Sequence, residues 1–136
     1  RIQFLKYITS ELNLTDVQCI HSRAEDAARM PLHRDQYDLA TARAVARLNV
    51  LSELCLPFVR PGGHFIAMKG ADAAGEIEEA DYSMRALKAK FIADHAFELP
   101  VEQSARHILI MEKVAATPAA YPRKAGIPTK LPLIGR

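Results

Sequence analysis

Residues 37–70 read YDLATARAVARLNVLSELCLPFVRPGGHFIAMKG, and this stretch decides the fold class. Tyr37 to Ala42 reads as a strand, introduced by the polar run His33-Arg34-Asp35-Gln36. Leu48, Leu51, Leu54, Cys55 and Phe58 then recur at intervals of three and four, the spacing of one helical face. Arg60-Pro61-Gly62-Gly63 is a strong stop and turn. His64 to Lys69 is the next strand, ended by Gly70. Strand, helix and strand in succession imply parallel strands joined by a crossover helix.

Working outward, the alternation continues. Upstream, Val17-Gln18-Cys19-Ile20 reads as a short buried strand, His21-Ser22-Arg23 turns out of it, and AEDAARM is a short helical stretch ended by Pro31. Before that, Ile2, Leu5, Ile8 and Leu12, with Phe4 beside them, make RIQFLKYITSEL an amphipathic helix. It has no N-cap, no preceding strand and no initiator Met, as expected for part of a longer chain.

Downstream, an acidic helix is expected from about Ala73 to Lys90, with Ile77, Ala80, Met84 and Leu87 on one face. Strands follow at Phe91 to Leu99 and His107 to Val114. The link between them, PVEQSA with Arg106 after it, is too short for a crossover helix, so the two should be antiparallel neighbours. Residues 115–136 hold four of the eight prolines and no apolar periodicity, and read as an extended tail. The expectation is an α/β domain over 1–114, a doubly wound and mostly parallel sheet ending in an antiparallel hairpin, then a basic Pro-rich tail.

Composition agrees with a folded domain. The chain has 136 residues, 49% hydrophobic and 25% charged, which excludes a disordered, collagen-like or disulfide-stapled chain. The formal net charge of +2 conceals a segregation. The first 112 residues carry 13 basic against 16 acidic groups, a formal −3, whereas Lys113, Arg123, Lys124, Lys130 and Arg136 follow with no acid. A basic end on a mildly acidic body fits either an anionic partner or a solvated tail. Cys19 and Cys55 sit in apolar runs without CxxC spacing, so buried reduced thiols and a reducing compartment are expected. No apolar run approaches the about 20 residues of a membrane span, and no signal peptide opens the chain. The cytoplasm is the expected location.

Polar groups recur after successive strands, at the sheet edge where α/β folds bind ligands. Ser22-Arg23-Ala24-Glu25-Asp26 follows the first; its backbone suits an adenine edge, while plain helix capping also accounts for the acids. Thr41-Ala42-Arg43-Ala44 follows the second. Flanked by apolar residues, Arg43 is expected to have a packed stem and a fixed guanidinium fit for a carboxylate. Lys69-Gly70 follows the third, and glycine there lets a ligand approach. Arg123, Lys124 and Lys130, interleaved with prolines, suit phosphates along a nucleic-acid strand, or else the tail's Leu131, Leu133 and Ile134 pack back. The five histidines show no ligand spacing, so no metal is expected. No nucleophile or paired-carboxylate pattern supports hydrolase chemistry.

A sheet ending in a reversed strand is also the class I methyltransferase variant of the Rossmann-like fold. KYITSELNL, SRAED, ATARAVARLNVLSELCLPFVRPGG, AMKG and the ending YPRKAGIPTKLPL together resemble the RsmG family, also called GidB, bacterial 16S rRNA guanine-N7 methyltransferases. The resemblance spans nearly the whole chain but lacks the family's N-terminal helices and glycine-rich cofactor loop; no glycine precedes Gly62. It implies S-adenosylmethionine as cofactor, with Ala24, Glu25 and Arg43 on the cofactor side. It implies Lys69, Arg123, Lys124 and Lys130 on the side of the substrate, 16S rRNA of the small ribosomal subunit, and a monomer at full length without membrane or metal. No residue is assigned to proton transfer. The alternatives are a non-catalytic RNA-binding α/β domain and a methyltransferase-fold enzyme acting on a small molecule.

Overall fold

The computed structural model describes residues 1–43 and 46–135. Ala44 and Val45 of the quoted stretch, and Arg136 of the basic end, lie outside the described residues. In chain order the elements are α1 (Ile2–Glu11), α2 (Ala24–Ala27), β1 (Tyr37–Arg43), α3 (Leu48–Cys55), a 3-10 turn (Leu56–Phe58), β2 (Val59–Lys69), α4 (Ala73–Glu79), α5 (Asp81–Ala86), β3 (Ala89–Glu98), β4 (Ala105–Lys113) and α6 (Ile127–Lys130).

The strands form one sheet in the order β1-β2-β4-β3. β1 and β2 are parallel and joined through α3, as the opening stretch requires. β4 inserts between β2 and β3, antiparallel to both. The expected reversed hairpin is therefore present, and its last strand lies inside the sheet rather than at its edge.

Side-chain alternation gives the sheet two unlike faces. Phe65, Ala67, Leu109 and Met111 are fully buried on one face, under Leu48 and Leu51 of α3 and Met84 of α5. Burying Phe65 alone contributes on the order of 1.5–3 kcal/mol. On the opposite face Leu39 and Met68 stay 50% and 41% exposed, since none of α3, α4 or α5 covers them.

Several expectations shift. Pro61-Gly62-Gly63 does not stop the chain but lies within β2, which begins at Val59. The register jumps between Tyr37↔Val59 and Leu39↔His64, so these residues form a bulge. Gly62 takes φ +87°, and a Cβ on Gly63 would stand 2.6 Å from the Asp38 carbonyl oxygen, so glycine is required at both. The acidic helix is two helices, broken at the fully buried Ala80. The Ser83 hydroxyl donates to the Ala80 carbonyl at 2.7 Å, a local bond that competes with helix continuation.

Val17–Ile20 is not a strand, and Val17 and Ile20 are each 47% exposed. A strand needs a neighbour for its backbone groups, and among the described residues β1 pairs only with β2. α1 forms as its spacing predicts, yet none of its residues is buried. Cys19 and Cys55 are free thiols, each partly exposed rather than buried. Burial still pushes the Cys55 thiol up to about 12.

The tail folds back onto the domain. Leu133 is buried, whereas Leu131 and Ile134 are exposed. Thr117 meets Lys113 and Asp35, and Arg34 donates to the Thr117 and Pro118 carbonyls at 3.3 and 2.9 Å. No helix is long and apolar enough to cross a membrane among the described residues.

Candidate functional site

Parallel pairing brings the carboxyl ends of β1 and β2 side by side, with Arg43 opposite Met68. Alternation then sends Arg43 to the uncovered face and Lys69 beneath the helices. Arg43 is accordingly exposed, not packed as its apolar neighbours predicted. Alanines that flank a residue in sequence give it no cover in a strand, where the phase of the side chain decides what is covered.

Lys69 is read from sequence as a substrate contact, and the structure turns it inward, its side chain 3% exposed. Its Nζ lies 2.9 Å from Glu76 Oε1 and donates to the Ala46 carbonyl at 2.5 Å. The same Glu76 oxygen accepts the Leu48 N–H at 2.8 Å, at the start of α3. Lys69 and Glu76 thus hold Ala46 and Leu48 at the start of α3.

A cleft of about 500 Å³ opens at this edge, lined by Arg43, Lys69, Gly70, Phe97, Arg106 and His107. A Cβ on Gly70 would meet nothing within 4 Å, so the edge has room for a ligand. His107 Nδ1 lies 2.7 Å from Asp94 Oδ1, which fixes the ring orientation and leaves Nε2 as the other polar atom. Phe97 and the His107–Asp94 pair were not legible in sequence, because antiparallel pairing of β3 and β4 assembles them.

A second cleft, of about 470 Å³, runs between α2 and β1, lined by Ser22, Ala24, Leu39, Thr41 and Leu51 among others. Thr41 is two residues before Arg43 on the same phase of β1, so the two clefts share one strand. Ala24 lines this cleft. Glu25 is not among its lining residues. Its carboxylate is buried and accepts the Gly126 N–H at 2.9 Å, with Arg23 Nη2 at 3.4 Å. Burial works to raise the Glu25 pKa, but the Gly126 hydrogen bond and the Arg23 charge outweigh it and hold it below the ordinary value.

The three tail cations part company. Arg123 holds Glu53 through Nε at 3.0 Å and Nη2 at 2.7 Å, and its backbone N–H adds a bond of 2.8 Å. This pairing with Glu53 raises the Arg123 pKa against the opposing effect of burial. Lys124 and Lys130 are exposed. Sequence reasoning missed Glu53; the available signal was an acid inside the apolar helical run LSELCL. Among the described residues, no group of three or more His, Cys, Asp or Glu could hold a metal ion.

An α/β sheet with an inserted reversed strand and polar groups at its carboxyl edge defines the Rossmann-like methyltransferase class. Residues 1–108 match the family model described as GidB, rRNA small subunit methyltransferase G. The chain belongs to this family. It is 48% identical over 134 residues to the ribosomal RNA small subunit methyltransferase G of Brevibacillus brevis, and 49% identical over 134 residues to that of Ligilactobacillus salivarius. A protein of the same name in Staphylococcus aureus strain Newman is 48% identical. Each comparison covers 98% of this chain and 56% of the relative, so the chain spans little more than half the length of these relatives.

Proposed function

We propose that the chain forms the cofactor edge and the RNA-facing tail of an enzyme that methylates N7 of a guanine in 16S rRNA, using S-adenosylmethionine. The observation that carries this reading is the cleft at the sheet edge that Arg43, Lys69 and Gly70 line, in a chain so similar to rRNA methyltransferases. Free thiols and an rRNA substrate fit the cytoplasm.

The residues present suit such a cofactor. Leu39, Leu51 and Ala24 offer apolar surface for the faces of a nucleoside base, and Ser22 and Thr41 offer hydroxyls. The exposed Arg43 guanidinium suits the carboxylate of an amino-acid moiety. When bound, the cofactor supplies a sulfonium-activated methyl group.

The absence of a base motif then agrees with the chemistry. Guanine N7 already presents a lone pair on the major-groove edge, so nothing needs to deprotonate it. What the chain supplies is alignment, which can account for much of the rate. Lys69, through Glu76 and Ala46, fixes the start of α3; the exposed Lys124 and Lys130 meet RNA phosphates.

Arg43→Ala in the full-length protein tests this. Methylation of 16S rRNA should fall by about a hundredfold, as for loss of a charge-assisted hydrogen-bonded pair with the ligand, while RNA binding persists. Methylation at the wild-type rate would refute the reading, and so would loss of RNA binding alone.

A further inference from the structure

The tail turn at residues 122–126 is joined to two elements at once. Glu53 of α3, itself fully buried, takes both the Arg123 side chain and its backbone N–H. Three residues on, the Gly126 N–H is held by Glu25 of α2. From just beyond α2, Arg29 reaches back to the Pro122 carbonyl at 2.9 and 2.6 Å, through Nε and Nη2, and to the Ala119 carbonyl at 2.7 Å.

α2 needs such support. A helix of four residues cannot sustain itself by its own hydrogen bonds. It offers the core only Ala27 and, just after it, Ala28, while Glu25 is buried against the tail. The position of Ser22 and Ala24, on the second cleft, is therefore set by bonds that the tail completes. The carboxylates and guanidiniums involved are charge-assisted and partly shielded from water, the class of hydrogen bond with the largest net effect.

We infer that Arg123 is a positioning residue: docked on Glu53, it holds the 122–126 turn so that Gly126 and Glu25 fix the cofactor-side segment Ser22–Glu25. Arg123 is then not an RNA contact, and phosphate contact falls to Lys124 and Lys130 on the same turn and just after it. The inference rests on the proposed methyltransferase reading for the identity of the ligand at Ser22–Ala24, and on geometry alone for the strap.

The test is steady-state methylation by the full-length protein with S-adenosylmethionine varied, beside rRNA binding over a range of salt. Arg123→Gln should raise the cofactor KM by about tenfold, the equivalent of one charge-assisted hydrogen bond. Its kcat at saturating cofactor and its RNA affinity should match wild type. Arg123→Lys, which keeps the charge but not the fork, should fall between the two. Lys124→Gln should do the reverse, lowering RNA affinity and the salt slope with the cofactor KM unchanged.

Adding Glu53→Gln to Arg123→Gln should change the KM no further, because both remove one interaction. If Arg123→Gln does not fold, Glu53→Gln, which keeps an acceptor oxygen, takes its place in the same assay. The inference fails if Arg123→Gln weakens RNA binding as Lys124→Gln does while leaving the cofactor KM alone, or if kcat falls with KM unchanged. Wild-type protein without methylation activity would instead refute the proposed function. Hydrogen exchange at the Ser22–Ala28 amides then decides the strap, with faster exchange in Arg123→Gln expected and unchanged exchange overturning it.

Discussion

Two lysines end adjacent strands of the sheet, and both are buried, but they organise opposite ends of the molecule. Lys69 closes β2 and Lys113 closes β4; because these strands are antiparallel, the two ammonium groups lie at opposite edges. Lys113 is fully buried and meets Asp35 Oδ1 and the Leu56 carbonyl at 2.8 Å, the Val59 carbonyl at 2.9 Å and Thr117 Oγ1 at 2.7 Å. Lys69 has one carboxylate and one carbonyl, and it borders an open cleft. In sequence they look alike, each a lysine at the end of an apolar run, AMKG and IMEKV. The contrast shows that one local pattern serves two purposes. At one edge the buried charge seals the domain and anchors the tail; at the other it holds the start of α3 and lines the candidate cleft.

The contrast can be broken most forcefully at Lys113. Lys113→Met leaves Asp35 without its cation and removes one donor each from the Leu56 and Val59 carbonyls and the Thr117 hydroxyl. The chain should lose about 3–5 kcal/mol, the cost of removing one partner from a buried pair. Urea unfolding measures it, and a loss below about 1 kcal/mol would mean that the network contributes little.

Lys69→Met should cost less, about 1–3 kcal/mol, because Glu76 keeps the Leu48 N–H and is itself partly exposed. Its sharper effect should be on methylation by the full-length protein, since Lys69 itself lines the cleft that Arg43 lines. Equal stability losses for the two lysine variants, with methylation untouched in both, would erase the distinction.

Acid provides the gentlest probe. Burial works to raise the Asp35 pKa, but its bonds to Lys113 and Thr117 prevail and hold it below the ordinary 3.8. Glu25 is likewise held below its ordinary 4.5. A carboxyl whose folded pKa is depressed stabilises the fold above its unfolded pKa and loses that contribution as pH falls through the folded one. Stability should therefore be flat near neutrality and decline below about pH 4.5. Asp35→Asn should flatten part of that decline. An unchanged acid limb would show that Asp35 is not held by Lys113 and Thr117 in solution.

Much of the fold was legible because its signals are local. The period of α3, the alternation of β1 and β2 and the short link between β3 and β4 each depend on residues close in the chain. The failures have a common cause in what lies beside an element. Val17–Ile20 had strand composition without a paired neighbour, and Arg43 had apolar neighbours in sequence but an uncovered face in space. At the candidate site, Arg43 and Lys69-Gly70 were readable as strand ends. Asp94 with His107 and Glu53 with Arg123 were not, since each pair is made by pairing or docking of separate segments.

The order and type of most elements, the antiparallel hairpin and the resemblance to a methyltransferase family are properties of short runs and their succession, and so were open to reading along the chain. What the charges do depends on the folded arrangement. Glu25 meets Gly126 across 101 residues, and Glu53 meets Arg123 across 70. The physical reason is that a charge withdrawn from water must find its partner in space. Local sequence does not record which distant segment will supply it.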